Sequence, residues 1–385
     1  MPRTSASTAP DLRFSGRRPF ETAREAQEVS ELIRLVLVNA NADIGDSAGE
    51  AIMLDTLNGG RSGSFVFKAT PVATDGRRLY PARTVVKVAP LDAGTAEQAN
   101  YEKFVRPFLP SRYRPELHGF ATARDRAALC YSLLGDGDKP ETLTDRLAMG
   151  DLVALDLILL PLFEHLHRWR SASEIQPESD LARYYLARYF GDTRSAILAE
   201  TTLLGHAARY FGGQHNARGY RIHKADFPAI CELLFARRDA RTYTSCIVHG
   251  DLNSDNIMLD GRRKFAGVID FQRTGRGHIF QDIVALEMSV RINAPSNATF
   301  DDIWEVERLI ALGKPPMCSN PYAVAIIGIR KTGRRLFGFE KSFASYQFAV
   351  AATGLRLMRA TDLSDAACAR ITASVLWAVT KLTDV

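Results

Sequence analysis

The sequence has little that would crosslink it, anchor it in a membrane or extend it as a repeat. Only five of its 385 residues are cysteines, and these are far apart with no CxxC pair, at positions 130, 231, 246, 318 and 368. That pattern predicts buried thiols in a reducing compartment rather than disulfides or a zinc site. The most apolar stretch, 152–163, is short and contains Asp156 and Pro161, so we expect no membrane span.

A strong excess of one charge is also missing. The formal net charge is +5, with 46% hydrophobic and 24% charged residues, which is typical of a globular chain with a full core. Basic residues are scattered, so we expect no nucleic-acid partner. The first residues lack the apolar segment of a signal peptide. We therefore expect a cytoplasmic protein.

The N-terminal segment divides into two parts. Residues 1–18 are rich in Ser, Thr, Pro and Arg, and we expect a disordered tail there. Residues 19–48 form a predicted helical extension, in which positions 29, 32, 33, 36 and 37 of the helix over 21–39 are apolar. This spacing makes one apolar stripe. We favour a helix docked on the following domain over a partner-binding helix.

The next segments predict a bilobal α+β architecture. Residues 49–134 contain five short strand-like runs and one helix over 93–109, as in a small five-stranded N-lobe. Residues 135–140, GDGDKP, form a polar hinge or linker. Residues 141–385 are mainly helical, and only two short β signals occur there, at 246–248 and 265–271. We expect a helical C-lobe that carries the reactive loops.

The strongest chemical signal is HGDLNSDN, residues 249–256. Asp251 is followed by Asn256 five residues later and by Asp270 fourteen residues beyond that, at the end of the run VIDF. Asp251 can orient an attacking hydroxyl, while Asn256 and Asp270 offer hard oxygen ligands to Mg²⁺. Each residue alone is more often a turn or cap residue. The joint spacing favours phosphoryl transfer from ATP.

The N-terminal half holds further candidates for nucleotide binding. Four residues of the loop 58–64 (NGGRSGS) make a candidate glycine-rich flap whose amides approach phosphates: Gly59, Gly60, Ser62 and Gly63. A plain hairpin loop is the commoner alternative. Lys87 lies within the apolar strand TVVKVAP and needs an anionic partner if it is buried. An edge-strand Lys pointing to water is the alternative.

Two glutamates on the predicted helix can pair with Lys87. We predict Glu102 as its partner and interpret Glu97 as a solvated surface charge, because the two lie on different faces of the helix.

These motifs resemble the aminoglycoside phosphotransferase and choline kinase branch of the protein-kinase-like fold, which has Gly after the catalytic-loop His. The continuation IDFQRTGRGHIFQDIVALE is similar to bacterial ternary complex associated domain proteins. The resemblance implies a catalytic Asp251, metal-binding Asn256 and Asp270, and a phosphate-contacting Lys87. It also implies that Asp282 braces the catalytic loop, for which a helix cap is the alternative.

By position, the resemblance places the adenine-facing hinge at residues 130–133, which include Tyr131 and Leu133. Two departures are visible. Gln272 replaces the Gly of the protein-kinase DFG, which the branch tolerates, and the flap is GGRSGS rather than a full GxGxxG. His249 is interpreted as a structural residue, because kinases need no separate His base.

The acceptor cannot be named from the sequence. In this branch, residues 171–245 cover the acceptor side, and here they hold ten Lys/Arg and eight Asp/Glu. A pocket for polycationic aminoglycosides would show an excess of carboxylates. The aromatic residues of this segment favour core packing over a cation cage.

Three functions therefore stay open. The favoured one is an ATP- and Mg²⁺-dependent phosphotransferase acting on a small-molecule or protein hydroxyl. The second is a pseudokinase-like regulatory module that docks protein partners in bacterial signalling or defence. The third is a scaffold that merely retains the fold, and the intact set of catalytic positions speaks against it.

Overall fold

Most of the chain is described in the computed structural model. The described residues are 11–16, 19–44, 51–57, 63–72, 84–134, 141–151, 154–171, 176–178, 180–216, 219–236, 242–260, 265–314, 320–337 and 343–383. The chain divides into two units. The sheet unit comprises Met1–Glu141, Met258–Arg263 and Gly267–Thr274, and the helical unit comprises Thr142–Ile257, Lys264–Ala266 and Gly275–Val385. The predicted hinge at 135–140 lies outside the described residues.

The sheet unit is built on a mixed sheet of six strands. Its elements are β1 (Asp11–Ser15), α1 (Ala23–Ile44), β2 (Ala51–Leu57), β3 (Phe65–Val72), β4 (Thr84–Pro90), α2 (Leu91–Asn100), β5 (Leu117–Ala123) and β6 (Arg126–Ser132). The strand order is β1-β2-β3-β4-β6-β5. The five predicted strands are all present. The prediction of a disordered tail over 1–18 is wrong for β1, which pairs in parallel with β2.

Successive side chains of β4 point to opposite faces of the sheet, and a helix covers each face. Val86 and Val88 lie opposite Cys130 and Ala128 of β6 and belong to the same buried cluster as the apolar stripe of α1. Residues between them point to the other face because successive strand side chains alternate. Lys87 is one of these, and it therefore faces α2.

The α1 helix is docked on the sheet, as predicted. Val29, Leu32 and Val36 are at most 2% exposed. The close approach depends on Gly119 in β5, because a Cβ there would stand 2.8 Å from the Val36 carbonyl oxygen. Burial of these aliphatic side chains contributes about 1.5–3 kcal/mol for each, so α1 is an integral part of this unit.

The remaining elements are mainly helical. They are β7 (Glu141–Thr142), α3 (Leu143–Ala148), α4 (Ala154–Ser171), β8 (Gln176–Glu178), α5 (Leu181–Tyr189), α6 (Thr193–Phe211), β9 (Gln214–Asn216), β10 (Gly219–Ile222), β11 (Ala225–Pro228), β12 (Tyr243–Val248), β13 (Ile257–Asp260), β14 (Phe265–Val268), β15 (Gly275–His278), α7 (Gln281–Asn293), α8 (Phe300–Ala311), α9 (Pro321–Phe337), α10 (Phe343–Leu357) and α11 (Asp365–Thr383).

The sequence anticipated only β12 and β14 among the short strands of this half. The others have two to four residues each, too few to show a period of two. A second difference concerns the lobe boundary. Residues 258–263 and 267–274, which the sequence assigned to the C-lobe, belong to the sheet unit.

A buried ionic network joins four helices of the helical unit. Glu287 of α7 accepts hydrogen bonds from Arg291 at 2.7 Å, from Arg330 of α9 at 2.7 and 3.0 Å, and from the Tyr346 hydroxyl of α10. Arg291 also donates to Glu307 of α8 at 2.8 and 3.0 Å. Two guanidinium groups thus face two carboxylates, which satisfies charges that would be costly to bury alone.

Four of the five cysteines are described, and all four are buried free thiols, as predicted. Burial raises the pKa of the Cys130 thiol to about 12, so it stays protonated at neutral pH. Cys318 lies outside the described residues. No described helix is both long and apolar enough to cross a membrane.

Candidate functional site

Lys87 is the centre of a charged cluster in the sheet unit. Its Nζ donates to Glu97 Oε2 at 2.7 Å and to Asp270 Oδ1 at 3.0 Å, and the residue is only 9% exposed. Glu97 is held from its other side by the Tyr131 hydroxyl, which donates to Oε1 at 3.0 Å. The predicted buried role of Lys87 is confirmed, and the edge-strand alternative is excluded.

The predicted partner Glu102 is wrong. Glu102 instead makes an exposed i,i+4 pair with Arg106 at 3.1 Å. The inward stripe of α2 and the helical turn that follows it is Gly94, Glu97, Tyr101 and Val105, spaced by three or four residues. Tyr101 and Val105 are the apolar members of this stripe, and Glu97 lies one turn before Tyr101 on the same face. Tracing this stripe from Val105 and Tyr101 towards the N-terminus of α2 would have identified Glu97 as the inward-facing glutamate.

The electrostatics of the cluster favour a cation. Burial opposes the charge of Lys87, but the Glu97 and Asp270 carboxylates outweigh it and raise the pKa of the ammonium group. One ammonium faces two carboxylates, and burial raises the pKa of Glu97 although its contacts with Lys87 oppose this rise. About 37% of the Asp270 side chain is exposed, which leaves this carboxylate accessible to a hard cation.

The segment carrying Asp270 is fixed by α2. Asp270 has φ +66°, a left-handed conformation that Asp tolerates better than most residues but that still costs about 1–2 kcal/mol. The Asn100 side-chain amide donates to the Gln272 carbonyl at 2.8 Å. The Phe271 ring packs edge-on against Tyr101, with centroids 5.8 Å apart. The sequence did not identify Asn100, because this contact joins residues 172 positions apart.

In the helical unit, the loop after β12 holds Asp251 and Asn256. The Asn256 Nδ2 donates to the Asp251 carbonyl at 2.8 Å, and Asn256 is 8% exposed. A carbonyl can only accept, so this bond fixes the orientation of the amide and leaves Oδ1 as its acceptor atom. Among the described residues Oδ1 has no hydrogen-bond partner, which suits an oxygen ligand of a cation.

Asp282 braces this loop from α7, as the resemblance implied. Its Oδ2 accepts from the His249 amide and its Oδ1 from the Gly250 amide, both at 2.9 Å, and the residue is fully buried. Asp282 does not cap α7, because the N-cap position is Phe280. Gly250 has φ +85°, which favours glycine at the turn into Asp251.

Two arginines near this loop were not anticipated. Arg188 of α5 donates to the Gly250 carbonyl at 3.1 Å, and Arg356 of α10 lies 4.0 Å from Asp251 Oδ1. No spacing rule links these positions to the motif, since each comes from a separate helix.

The remaining predicted positions are described only in part. Gly63 has φ +71° and open space around it, whereas Gly59, Gly60 and Ser62 lie outside the described residues. Leu133 follows the end of β6. The adenine-facing role of Tyr131 and Leu133 stays a prediction.

Comparison with solved structures finds proteins described as phosphotransferases and kinases. An aminoglycoside phosphotransferase from Streptomyces rimosus is 17% identical, with TM-score 0.40, covering 83% of this chain and 97% of its own. An ethanolamine kinase from Plasmodium vivax is 12% identical, with TM-score 0.40, covering 95% and 89%. A glucosamine kinase is 15% identical, with TM-score 0.38, covering 86% and 93%. Likenesses this weak support no inference about activity or substrate.

Among curated proteins, none matches the chain. The profile of one family does match, over residues 51–225 and 227–334. These residues include Lys87, Glu97, Asp251, Asn256 and Asp270, and they make up well over half of the sequence. The chain therefore belongs to the ternary complex associated domain 9 family.

Proposed function

We propose that this protein is an ATP- and Mg²⁺-dependent phosphotransferase of protein-kinase-like fold that moves the γ-phosphoryl group to an acceptor hydroxyl. The observation that carries the proposal is the bridging of Glu97 and Asp270 by Lys87, over 183 residues of sequence. A strand lysine held between a helix glutamate and the aspartate of a metal-binding loop is the arrangement on which kinases rely to orient phosphates.

Each residue has a role that follows from its environment. Lys87, positioned by Glu97, would bind phosphate oxygens of the nucleotide. Asn256 Oδ1 in the helical unit and the Asp270 carboxylate in the sheet unit would each offer a hard oxygen ligand to Mg²⁺, which neutralises charge on the phosphates when bound. Asp251, whose loop is fixed by Asp282 and Asn256, would orient the acceptor hydroxyl and accept its proton.

The proposed transfer forms one bond to phosphorus and breaks another. The acceptor oxygen forms a bond to the γ-phosphorus, and the bond between that phosphorus and the β–γ bridging oxygen breaks, so that ADP leaves. The hydroxyl proton passes to Asp251 and then to solvent.

The first test is thermal stabilisation by ATP with and without Mg²⁺. A ligand that binds only the folded protein adds about 2.7 kcal/mol at 100 times its dissociation constant. We expect Mg²⁺-dependent stabilisation in the wild type and its loss in Asp270→Ala. Asp255→Asn is the matched control, because Asp255 is exposed in the same loop as Asn256 and its carboxylate makes no hydrogen bond or ion pair with the described residues.

ADP release with a panel of hydroxyl acceptors then tests transfer itself. We expect turnover in the wild type and a loss of at least about 100-fold in Asp251→Asn, because proton acceptance and positioning typically contribute that much. Stabilisation by MgATP without turnover on any acceptor would favour the regulatory module instead. The absence of any shift with ATP, GTP or ADP in a folded sample would refute the proposal.

A further inference from the structure

Arg356 places a cation beside the proposed reactive carboxylate. Its Nη2 lies 4.0 Å from Asp251 Oδ1, a loose ion pair, and 30% of its side chain is exposed. Within the described part of the chain, the Arg356 guanidinium donates no hydrogen bond, so N–H donors remain for a ligand.

The Tyr189 ring fixes the position of this guanidinium. Its central carbon lies 5.0 Å from the centroid of the Tyr189 ring. Tyr189 is 7% exposed, and its hydroxyl lies 3.4 Å from Thr353 Oγ1, one turn earlier on α10. Its carbonyl accepts from Arg359 at 3.1 Å. The ring is therefore a rigid platform, and a guanidinium stacked on it loses little side-chain entropy when it binds.

Two further arginines lie near the Asp251 loop, in which the buried Asp282 carboxylate is already bound by the His249 and Gly250 amides. Arg188 donates to the Gly250 carbonyl at 3.1 Å, and Arg359 is exposed at the end of the Tyr189 platform. The next acidic residue along the chain after Tyr189 is Asp192, whose carboxylate accepts from the Ser195 amide as the N-cap of α6. Arg356 thus lies beside the Asp251 carboxylate, while Arg188 and Arg359 donate to the carbonyls of Gly250 and Tyr189, and these positive charges disfavour a cationic acceptor.

We propose that the acceptor carries an anionic group, a carboxylate or a phosphate, and that Arg356 binds this group. The proposal rests on the proposed function and names its substrate class. A guanidinium binds such groups through two parallel hydrogen bonds. Because Arg356 lies 4.0 Å from Asp251, the hydroxyl and the anion must be near neighbours in the acceptor. Small hydroxy acids and hydroxyl-bearing phosphate esters meet this requirement.

One alternative source of the anion is the transferred phosphoryl group itself. In that case Arg356 would stabilise the transfer to every acceptor alike. The two sources are therefore distinguished by comparing acceptors that differ only in an anionic group.

The test measures ADP release with glycerate and glycerol 3-phosphate against glycerol and ethanolamine. We expect the anionic acceptors to have a kcat/KM at least about 10-fold above the neutral and cationic ones. Arg356→Gln should lower kcat/KM for the anionic acceptors by about 10- to 100-fold, the usual worth of a charged hydrogen-bonded contact. This loss should be several-fold larger than any loss for glycerol, and Arg356→Lys should recover part of it.

Arg308→Gln is the matched control, because Arg308 is a partly exposed arginine whose side chain pairs, among the described residues, with Glu305 at 2.6 and 2.7 Å. It should change neither acceptor class. A preference for glycerol or ethanolamine would overturn the proposal. An equal loss for both classes in Arg356→Gln, extending to ATP hydrolysis by water, would also overturn it and assign Arg356 to the transferred phosphoryl group.

A binding measurement separates this proposal from the proposed function. Glycerol 3-phosphate should raise the melting temperature of the wild type and of Arg308→Gln, but not of Arg356→Gln. If this shift is seen without any response to MgATP, the phosphotransferase proposal fails while the anion site stands. If MgATP stabilises the protein and neither anionic acceptor binds or reacts, the anion site is wrong.

Discussion

The sharpest consequence of the charged cluster concerns Glu97 and Glu102, which lie on one helical stretch and differ in burial. Glu97→Gln removes a carboxylate whose side chain is 2% exposed and 2.7 Å from Lys87. Removing one member of a buried pair usually costs about 3–5 kcal/mol. Here Asp270 still lies 3.0 Å from the ammonium group, so we expect a smaller loss of about 1–3 kcal/mol.

The same substitution at Glu102 is the control. Its pair with Arg106 exposes 37% and 45% of the two side chains, and surface pairs of this kind contribute about 0.5 kcal/mol or less. Both changes remove one negative charge from the same helical stretch. Their difference therefore isolates the buried contact with Lys87.

The assay is urea unfolding followed by circular dichroism, with ATP and Mg²⁺ added in a second series. Glu97→Gln should shift the midpoint clearly below that of Glu102→Gln. It should also weaken Mg²⁺-dependent stabilisation by ATP, because Lys87 is then drawn towards Asp270. Equal midpoints, or a larger loss for Glu102→Gln, would contradict the assignment of the ion pair.

Three further predictions concern stability. Glu287→Gln should lower the free energy of unfolding in urea by about 3–5 kcal/mol, because it leaves the charge of the surrounding guanidinium groups undercompensated. Glu305→Gln should lower it by less than about 1 kcal/mol, because its ion pair is exposed. Similar losses in both variants would show that the buried network is not a stabilising contact. Burial lowers the pKa of His278 to about 3. The contribution of the neutral His278 to the free energy of unfolding is therefore complete above the unfolded pKa near 6.5 and is lost as the pH falls towards 3. Unfolding free energy measured from pH 6.5 to 4.5 should therefore fall by about 1.4 kcal/mol per pH unit, and His278→Asn should flatten that slope; an unchanged slope would refute the assignment to His278. Gly94→Ala should lower the melting temperature, because the added Cβ would stand 2.6 Å from a β6 methyl group. Gly205→Ala in α6 should instead stabilise the protein by about 0.5–1 kcal/mol, because its added Cβ meets nothing within 4 Å. A gain of stability in both variants would contradict the close packing of α2 on the sheet.

Some features followed from local patterns alone. The five strands of the first half and the docked α1 helix were readable because apolar periodicity and β-branched runs act within a few residues. The motif spacing of Asp251, Asn256 and Asp270 likewise pointed to the two loops on which the proposed function depends. The structure places Asn256 and Asp282 against the Asp251 loop as the motif and the resemblance implied.

Other features could not be read in this way. The parallel pairing of β1 with β2 joins residues 40 positions apart, and a Ser- and Arg-rich run gives no hint of it. Glu97 and Glu102 have equal propensity to form helix, and only the packing of Tyr101 and Val105 on the sheet decides which one turns inward. An acidic side chain becomes a functional partner through its neighbours rather than through its own chemistry.

The residue types that carry the proposed chemistry follow from the sequence alone, because a hydroxyl-orienting carboxylate and hard oxygen ligands are properties of single side chains in a short motif. The partners of these residues depend on how the chain folds. Glu97 and Asp270 meet at Lys87, and Arg356 reaches Asp251, through contacts between segments up to 183 residues apart. Such contacts depend on which helix faces are buried, and that is fixed by the packing of the whole chain rather than by any local pattern.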